Sequence, residues 1–148
     1  MAGNVVEANL RFRASLEFAR GGVCVISVSG EADVHAAPEL EQRLAECCVS
    51  PGLRRVVVDL TEATFLDSVA LSVLIAAHRT LKLRGLPLEI ACADANIRRL
   101  LSITGLDRLF TVRGSLAQLG FEAEERVGDA VSVGERSRNA ELQHTWRP

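Results

Sequence analysis

Residues 54–71 read RRVVVDLTEATFLDSVAL, and the organisation of the whole chain follows from this stretch. Val56, Val57 and Val58 form a β-branched run with no polar alternation. That composition suits a strand buried on both faces, the kind found in parallel sheets that helices cover. The predicted strand spans residues 54–60. A loop is predicted over residues 61–67, TEATFLD, and then a long helix over residues 68–84. The first half of that helix is apolar almost all round, so it is expected to pack tightly on the sheet. Gly85 and Pro87 stop it.

Working towards the N-terminus, Phe12, Ala14, Leu16 and Phe18 alternate with Arg11, Arg13, Ser15 and Glu17, the period of a half-buried strand. Arg20-Gly21-Gly22 turns the chain into a second strand over residues 23–28, which makes an antiparallel hairpin. Gly30-Glu31-Ala32-Asp33 reads as the loop that ends it. Pro38 suits the first turn of a helix, and Leu40, Leu44 and Cys47 or Cys48 recur at helical spacing until Ser50-Pro51-Gly52. Towards the C-terminus an apolar strand is predicted over residues 86–93. Asp94 then caps a helix over residues 95–104, with Ile97, Leu100 and Leu101 inward. A short strand over residues 110–112 follows, and a short final helix over residues 116–120 capped by Ser115. The order β-β-α-β-α-β-α-β-α implies an α/β domain. Its sheet is expected to be mixed but mostly parallel, with about five strands, an N-terminal antiparallel hairpin and helices mainly on one face.

A chain of 148 residues, 48% hydrophobic and 24% charged, holds one domain of ordinary size. The expected division is an N-terminal extension over residues 1–9, a domain over residues 10–121 and a flexible or loosely docked tail over residues 122–148. The tail carries six acidic and four basic residues, the sole tryptophan, Trp146, and no sustained apolar periodicity. The net charge of −2 offers no basic footprint for nucleic acid. The longest nearly apolar run, residues 69–77, is far shorter than the roughly 20 residues of a membrane span, so no direct membrane insertion is expected. The start, MAGNVVEANL, lacks the pattern of a secretory signal, which makes a cytoplasmic address the expectation. Cys24, Cys47, Cys48 and Cys92 contain no C-x-x-C pair and are expected to be four reduced, mostly buried thiols.

Catalytic signatures are missing. The chain has no G-x-G-x-x-G, no phosphate-binding G-x-x-x-x-G-K-[ST], and Ser68 lies in no G-x-S-x-G elbow. His35, His78 and His144 are far apart, with His78 expected as a packed or partly exposed helix residue. Asp33, Asp59 and Asp67 fall near the predicted C-terminal ends of strands, where they are solvated loop acids or a metal cluster without supporting spacing. No enzyme activity, cofactor or metal is therefore expected. What remains is Asp67-Ser68 at the mouth of the long helix. Asp67 can accept free amide hydrogens of the first turn. A phosphate on Ser68 would meet the positive end of the helix and add nearly two negative charges beside Asp67. The same pair also serves as a plain helix cap.

Three pieces of the chain together resemble the STAS domain, the family named for sulfate transporters and anti-sigma factor antagonists. VSGEAD at residues 28–33 is similar to the family's strand-end G-E-L-D. VVVDLTEATFLDSVAL at residues 56–71 is similar to its D-L-x-x-x-x-x-[ML]-D-S-[ST]-G-L, and LLSITGLDRLF at residues 100–110 to its helix ending in T-G-L. The resemblance implies a non-enzymatic binding module, an anti-sigma factor antagonist switched by phosphorylation at Ser68. Unphosphorylated, it sequesters an anti-sigma factor that is also a serine kinase and so frees a sigma factor; a serine phosphatase resets it. The expected partner-binding residues are Gly30, Glu31, Asp33, Thr64, Asp67, Ser68, Val69 and Ala70, of which Asp33, Asp67 and Ser68 match residues of the family's motifs. Three of the chain's residues depart from the pattern: Ala70 replaces the family's glycine, Val69 its second serine or threonine, and Ala32 the leucine of the strand-end motif. The family's alternative role is a regulatory subunit of a transporter or other signalling complex, with no switch at Ser68.

Overall fold

The computed structural model describes residues 12–121. The extension over residues 1–9, the first two residues of the expected domain, the tail over residues 122–148, His144 and Trp146 lie outside the described residues. The elements are β1 (Arg13–Ala19), β2 (Val23–Ala32), α1 (Ala37–Cys48), β3 (Arg55–Leu66), α2 (Ser68–Leu83), β4 (Leu88–Ala91), α3 (Ala95–Ile103) and β5 (Thr111–Arg113), with 3₁₀ turns at Leu106–Arg108 and Ala117–Leu119. They build one five-stranded sheet in the order β1-β2-β3-β4-β5. The hairpin β1-β2 is antiparallel and every other neighbouring pair is parallel. This is the expected α/β architecture.

Strand alternation assigns the two faces. Ile26, Val28, Val56, Val58, Leu60, Leu88 and Ile90 point to one side, where Leu40 and Leu44 of α1, Leu71, Leu74 and Leu81 of α2, and Ile97 and Leu101 of α3 meet them in the main core. All three helices therefore cover one face. On the other face Val23, Val25, Val57 and Ala91 lie under Leu119 and Phe121. Arg55 clamps that cover. Its guanidinium pairs with both carboxylate oxygens of Glu89, donates to the Leu119 carbonyl (3.0 Å), and lies 4.8 Å from the centre of the Phe121 ring. Glu89 is buried, so this pairing is what makes its charge tolerable there. Glu17 and Asp59 are also buried, and Thr61 donates to Asp59 Oδ1 through its amide (3.0 Å) and its hydroxyl (2.7 Å).

Three expectations are corrected. The loops predicted at residues 30–33 and 61–67 are largely strand: β2 runs to Ala32 and β3 to Leu66, and they stay paired through Ser29↔Glu62, Gly30↔Ala63, Glu31↔Phe65 and Ala32↔Leu66. Register shifts between Ser27 and Ser29 and between Gly30 and Glu31 break the alternation by which a strand is recognised. Gly30 absorbs one of them at φ +83°, a conformation that a side chain disfavours. The final helix is only the 3₁₀ turn Ala117–Leu119, although Ser115 Oγ does accept from the Gln118 amide (3.3 Å). The cysteines are not all free: Cys24 on β2 and Cys47 on α1 form a disulfide, with 6.3 Å between their Cα atoms. Cys24 faces the helices from the sheet and Cys47 lies on the inward stripe of α1, a meeting that a separation of 23 residues conceals in the sequence.

Two predictions follow from these contacts. Gly22 sits at φ +78°, and a Cβ there would lie 2.2 Å from the Gly52 carbonyl oxygen, because the Gly22 carbonyl accepts the Arg54 amide at 2.7 Å. Gly21 has a similar φ of +76° but open space around it. In urea denaturation Gly22→Ala should lose about 3 kcal/mol, against about 1 kcal/mol for Gly21→Ala. Equal losses would show that backbone strain alone acts at this turn. For the cysteines, alkylation after denaturation without reductant should label Cys48 and Cys92 only. Burial raises both of those thiols above their usual range, so labelling of the native protein at pH 8 should be far slower than that of free cysteine. Four labelled cysteines would remove the disulfide.

Candidate interaction site around Ser68

Because β2 and β3 run parallel, they finish side by side at Ala32 and Leu66. The segments that leave them are therefore neighbours. The Asp67 amide donates to the Ala32 carbonyl (3.1 Å), which ties the mouth of α2 to the end of β2. Asp67 is extended (φ −103°, ψ −177°), and its Oδ1 accepts from the Ala70 amide at 3.0 Å. Its carbonyl accepts from the Leu71 amide at 3.0 Å, so the residue caps α2 with both side chain and backbone. Ser68, the first helical residue, is exposed.

Across the cleft Asp33 plays the same part for α1. Its Oδ1 accepts from the His35 amide (2.9 Å) and the Ala36 amide (3.2 Å), and its carbonyl accepts from the Ala36 and Ala37 amides. The residue at the helix boundary itself, Ala36, has no side chain to offer, so Asp33 orders the turn from three residues back. Both carboxylates are thus engaged in shaping loops. Asp59 lies elsewhere, against Thr61 on the sheet. Among the described residues no group of three or more His, Cys, Asp or Glu side chains is placed to hold a metal ion. His78 packs edge-on against Phe110, with ring centres 5.6 Å apart. Among the described residues no helix is long and apolar enough to cross a membrane.

The residues singled out in the sequence gather at this one end. Glu31, Thr64, Ser68 and Val69 are exposed, Gly30, Asp33 and Asp67 are half-buried, and all flank the joined ends of β2 and β3. Ala70 differs: it is 0% exposed and belongs to the main core, so its methyl points into the fold. Two surface residues escape the sequence reading. Val34 is 52%, Phe65 47% and Val69 39% exposed, and they lie at or just beyond the joined ends of β2 and β3. Phe65 stands directly across the ladder from Glu31. The available signal was the presence of large apolar residues in segments predicted to be polar loops.

Comparisons with known proteins bear on the family and the fold. The family model described as the STAS domain matches residues 19–119. An anti-sigma-B factor antagonist of Listeria monocytogenes is 32% identical over 88 residues, 60% of this chain and 76% of the relative. The crystal structure of an anti-sigma factor antagonist from Mycobacterium paratuberculosis superposes with a TM-score of 0.64 at 30% identity, covering 73% of this chain and 90% of that one. The Bacillus cell fate determinant SpoIIAA in its phosphorylated form shares the fold, with a TM-score of 0.58 at 16% identity over 74% of this chain and 96% of that one.

If Asp67 caps α2 as described, Asp67→Ala should lower stability in urea by about 1 kcal/mol, and Asp67→Asn, which keeps an acceptor oxygen, by only a few tenths. Matching losses for the two variants would mean that the carboxylate acts through its charge and not as a hydrogen-bond acceptor.

Proposed function

Because this chain belongs to the STAS domain family, we propose that it works as an anti-sigma factor antagonist, a binding module whose affinity is set by phosphorylation of Ser68. Its partner is an anti-sigma factor that doubles as a serine kinase. Unmodified protein holds that partner and so frees a sigma factor; phosphorylation releases the partner, and a serine phosphatase reverses the change. The reading implies a protein of the cytoplasm with no chemistry of its own.

One observation carries it: Ser68 is exposed at the first position of α2, at the end of the sheet where Val34, Phe65 and Val69 also leave an apolar patch in water. A partner that covers this patch removes water from Ser68. A phosphate there carries nearly two charges, and burying it without a counter-charge is costly. In the free protein the same phosphate is favoured by the positive end of α2. Modification is thus tolerated in the free state and penalised in the complex, which is the asymmetry a binding switch requires. The departure at Ala70 does not obstruct the surface, because its methyl is buried.

The test is affinity capture from the native host followed by binding measurements on the captured kinase-fold protein. Wild type and Ser68→Ala should bind it alike, and Ser68→Asp should bind at least tenfold more weakly, a loss of about 1.4 kcal/mol or more. With ATP present, mass spectrometry should find phosphate on wild type and none on Ser68→Ala. Equal binding by all three proteins would defeat the switch and leave Ser68 as a capping residue.

A further inference from the structure

Away from Ser68, a groove of about 710 Å3 runs between α3 and β5, the last strand in the sheet order among the described residues. Its volume lies in the range of roughly 300–1,000 Å3 usual for small-ligand sites. The polar lining is Arg98, Arg99 and Ser102 of α3, Thr111 and Arg113 of β5, and one carboxylate, Asp107. Three guanidiniums against one acid is a strong local excess in a chain whose net charge is −2. Arg43 and Arg55 have carboxylate partners, whereas none of these three does among the described residues.

Two of the guanidiniums are held from behind. Arg98 Nη1 reaches the Cys92 carbonyl (3.5 Å), and Arg113 Nη1 donates to the Val112 carbonyl (2.9 Å). Each guanidinium has five donors, so most remain free to act elsewhere. A Cβ placed on Gly114 would lie 3.3 Å from Arg98 Nη1, which sets the Arg98 head beside the backbone that follows Arg113. Ser102 follows Arg98 by four residues and shares its side of the helix.

We propose that this groove binds a small, multiply charged, phosphate-bearing anion. Like charges gathered in a concavity repel one another, and an anion between them reverses the sign of that term. Planar guanidinium forks match phosphate oxygens in two-point contacts, and their orientation by backbone carbonyls reduces what must be ordered on binding. Three guanidiniums and two hydroxyls supply more donors than a single carboxylate can accept, which favours a phosphate-bearing ligand over a simple acid. The charges converge from two elements on one open groove, which favours a compact soluble molecule over a lipid surface. This inference is independent of any role for Ser68.

The probe is inorganic pyrophosphate, titrated into the full-length chain by calorimetry and by amide-resolved NMR. Binding should saturate at one site, with shifts concentrated at residues 95–102 and 111–114. Arg98→Gln/Arg113→Gln should weaken it at least tenfold, and Arg43→Gln should leave it within about twofold. If circular dichroism shows the double glutamine variant unfolded, Arg98→Lys/Arg113→Lys takes its place, and the wild-type shift map still decides. Absence of saturable binding, shifts centred on the start of α2, or equal affinity in all variants would overturn the proposal. So would co-sedimentation with phosphatidylglycerol vesicles by a protein that ignores pyrophosphate, an outcome that assigns the arginines to a membrane surface.

Discussion

Parallel pairing between β2 and β3 does not stop where the hydrophobic run stops. It survives two register shifts, passes Gly30 in a left-handed conformation, and ends with the Asp67 amide bonded to the Ala32 carbonyl. Everything at the Ser68 end rests on that continuation. With the pairing ended at Asp59, residues 29–36 and 61–67 would be two separate loops with their own freedom. With it intact, the turn shaped by Asp33 and the helix capped by Asp67 leave adjacent strand ends in fixed directions. Ordering is achieved by backbone hydrogen bonds, which do not care about side-chain type. The exposed positions Glu31, Thr64 and Phe65 are thereby released from structural duty and can serve contact.

The two faces of the sheet solve different problems. On the helix side the strand residues that enter the core are apolar, and shape complementarity suffices for them. On the other side the strands carry Glu17, Asp59, Glu89 and Arg55, and burial there requires pairing. Arg55 answers one such need with a two-point bond to Glu89, and the same guanidinium holds the Leu119 carbonyl and the Phe121 ring. One side chain thus fastens the last described turn across β3 and β4. Removing either member of a buried pair leaves the other charge unsatisfied, which typically costs about 3–5 kcal/mol. That asymmetry makes the polar face the more specific of the two.

What could be read from the sequence divides along physical lines. Element order, the capping residues Asp67 and Asp94, and the inward stripe of α1 were legible because periodicity and capping are local. The family resemblance picked out the Asp67-Ser68 pair and the Asp33 turn, which the fold brings together. The continuation of β2 and β3 was not legible, since a bulge shifts the phase of alternation and Thr61, Glu62 and Thr64 then resemble a loop. Val34 and Phe65 were passed over for the same reason: residues assigned to a loop carry no assigned face. The Cys24–Cys47 bond was hidden because contact between a strand and the far end of the next helix is a fact of tertiary packing. The arginines at positions 98, 99 and 113 belong to no sequence motif, and only α3 and β5 place them around one groove.

The switch proposed at Ser68 would sit on this small domain without loosening it. A charge that enters the core, or that breaks a cap, alters folding along with binding. Here the groups that hold the start of α2 are the Asp67 carboxylate, its carbonyl and its amide, and none of them is the Ser68 side chain. The next inward residue, Ala70, is sealed in the core, so its contacts are untouched by events at the surface. Ser68 contributes its backbone to the helix, with its carbonyl accepting from the Ser72 hydroxyl (2.9 Å), and leaves its hydroxyl outside. Under the proposed mechanism a phosphate therefore changes what a partner meets while the fold that presents it stays the same. In that proposal stability and signal fall to neighbouring atoms of one helical turn, and their separation would let the state of Ser68 be read through affinity alone.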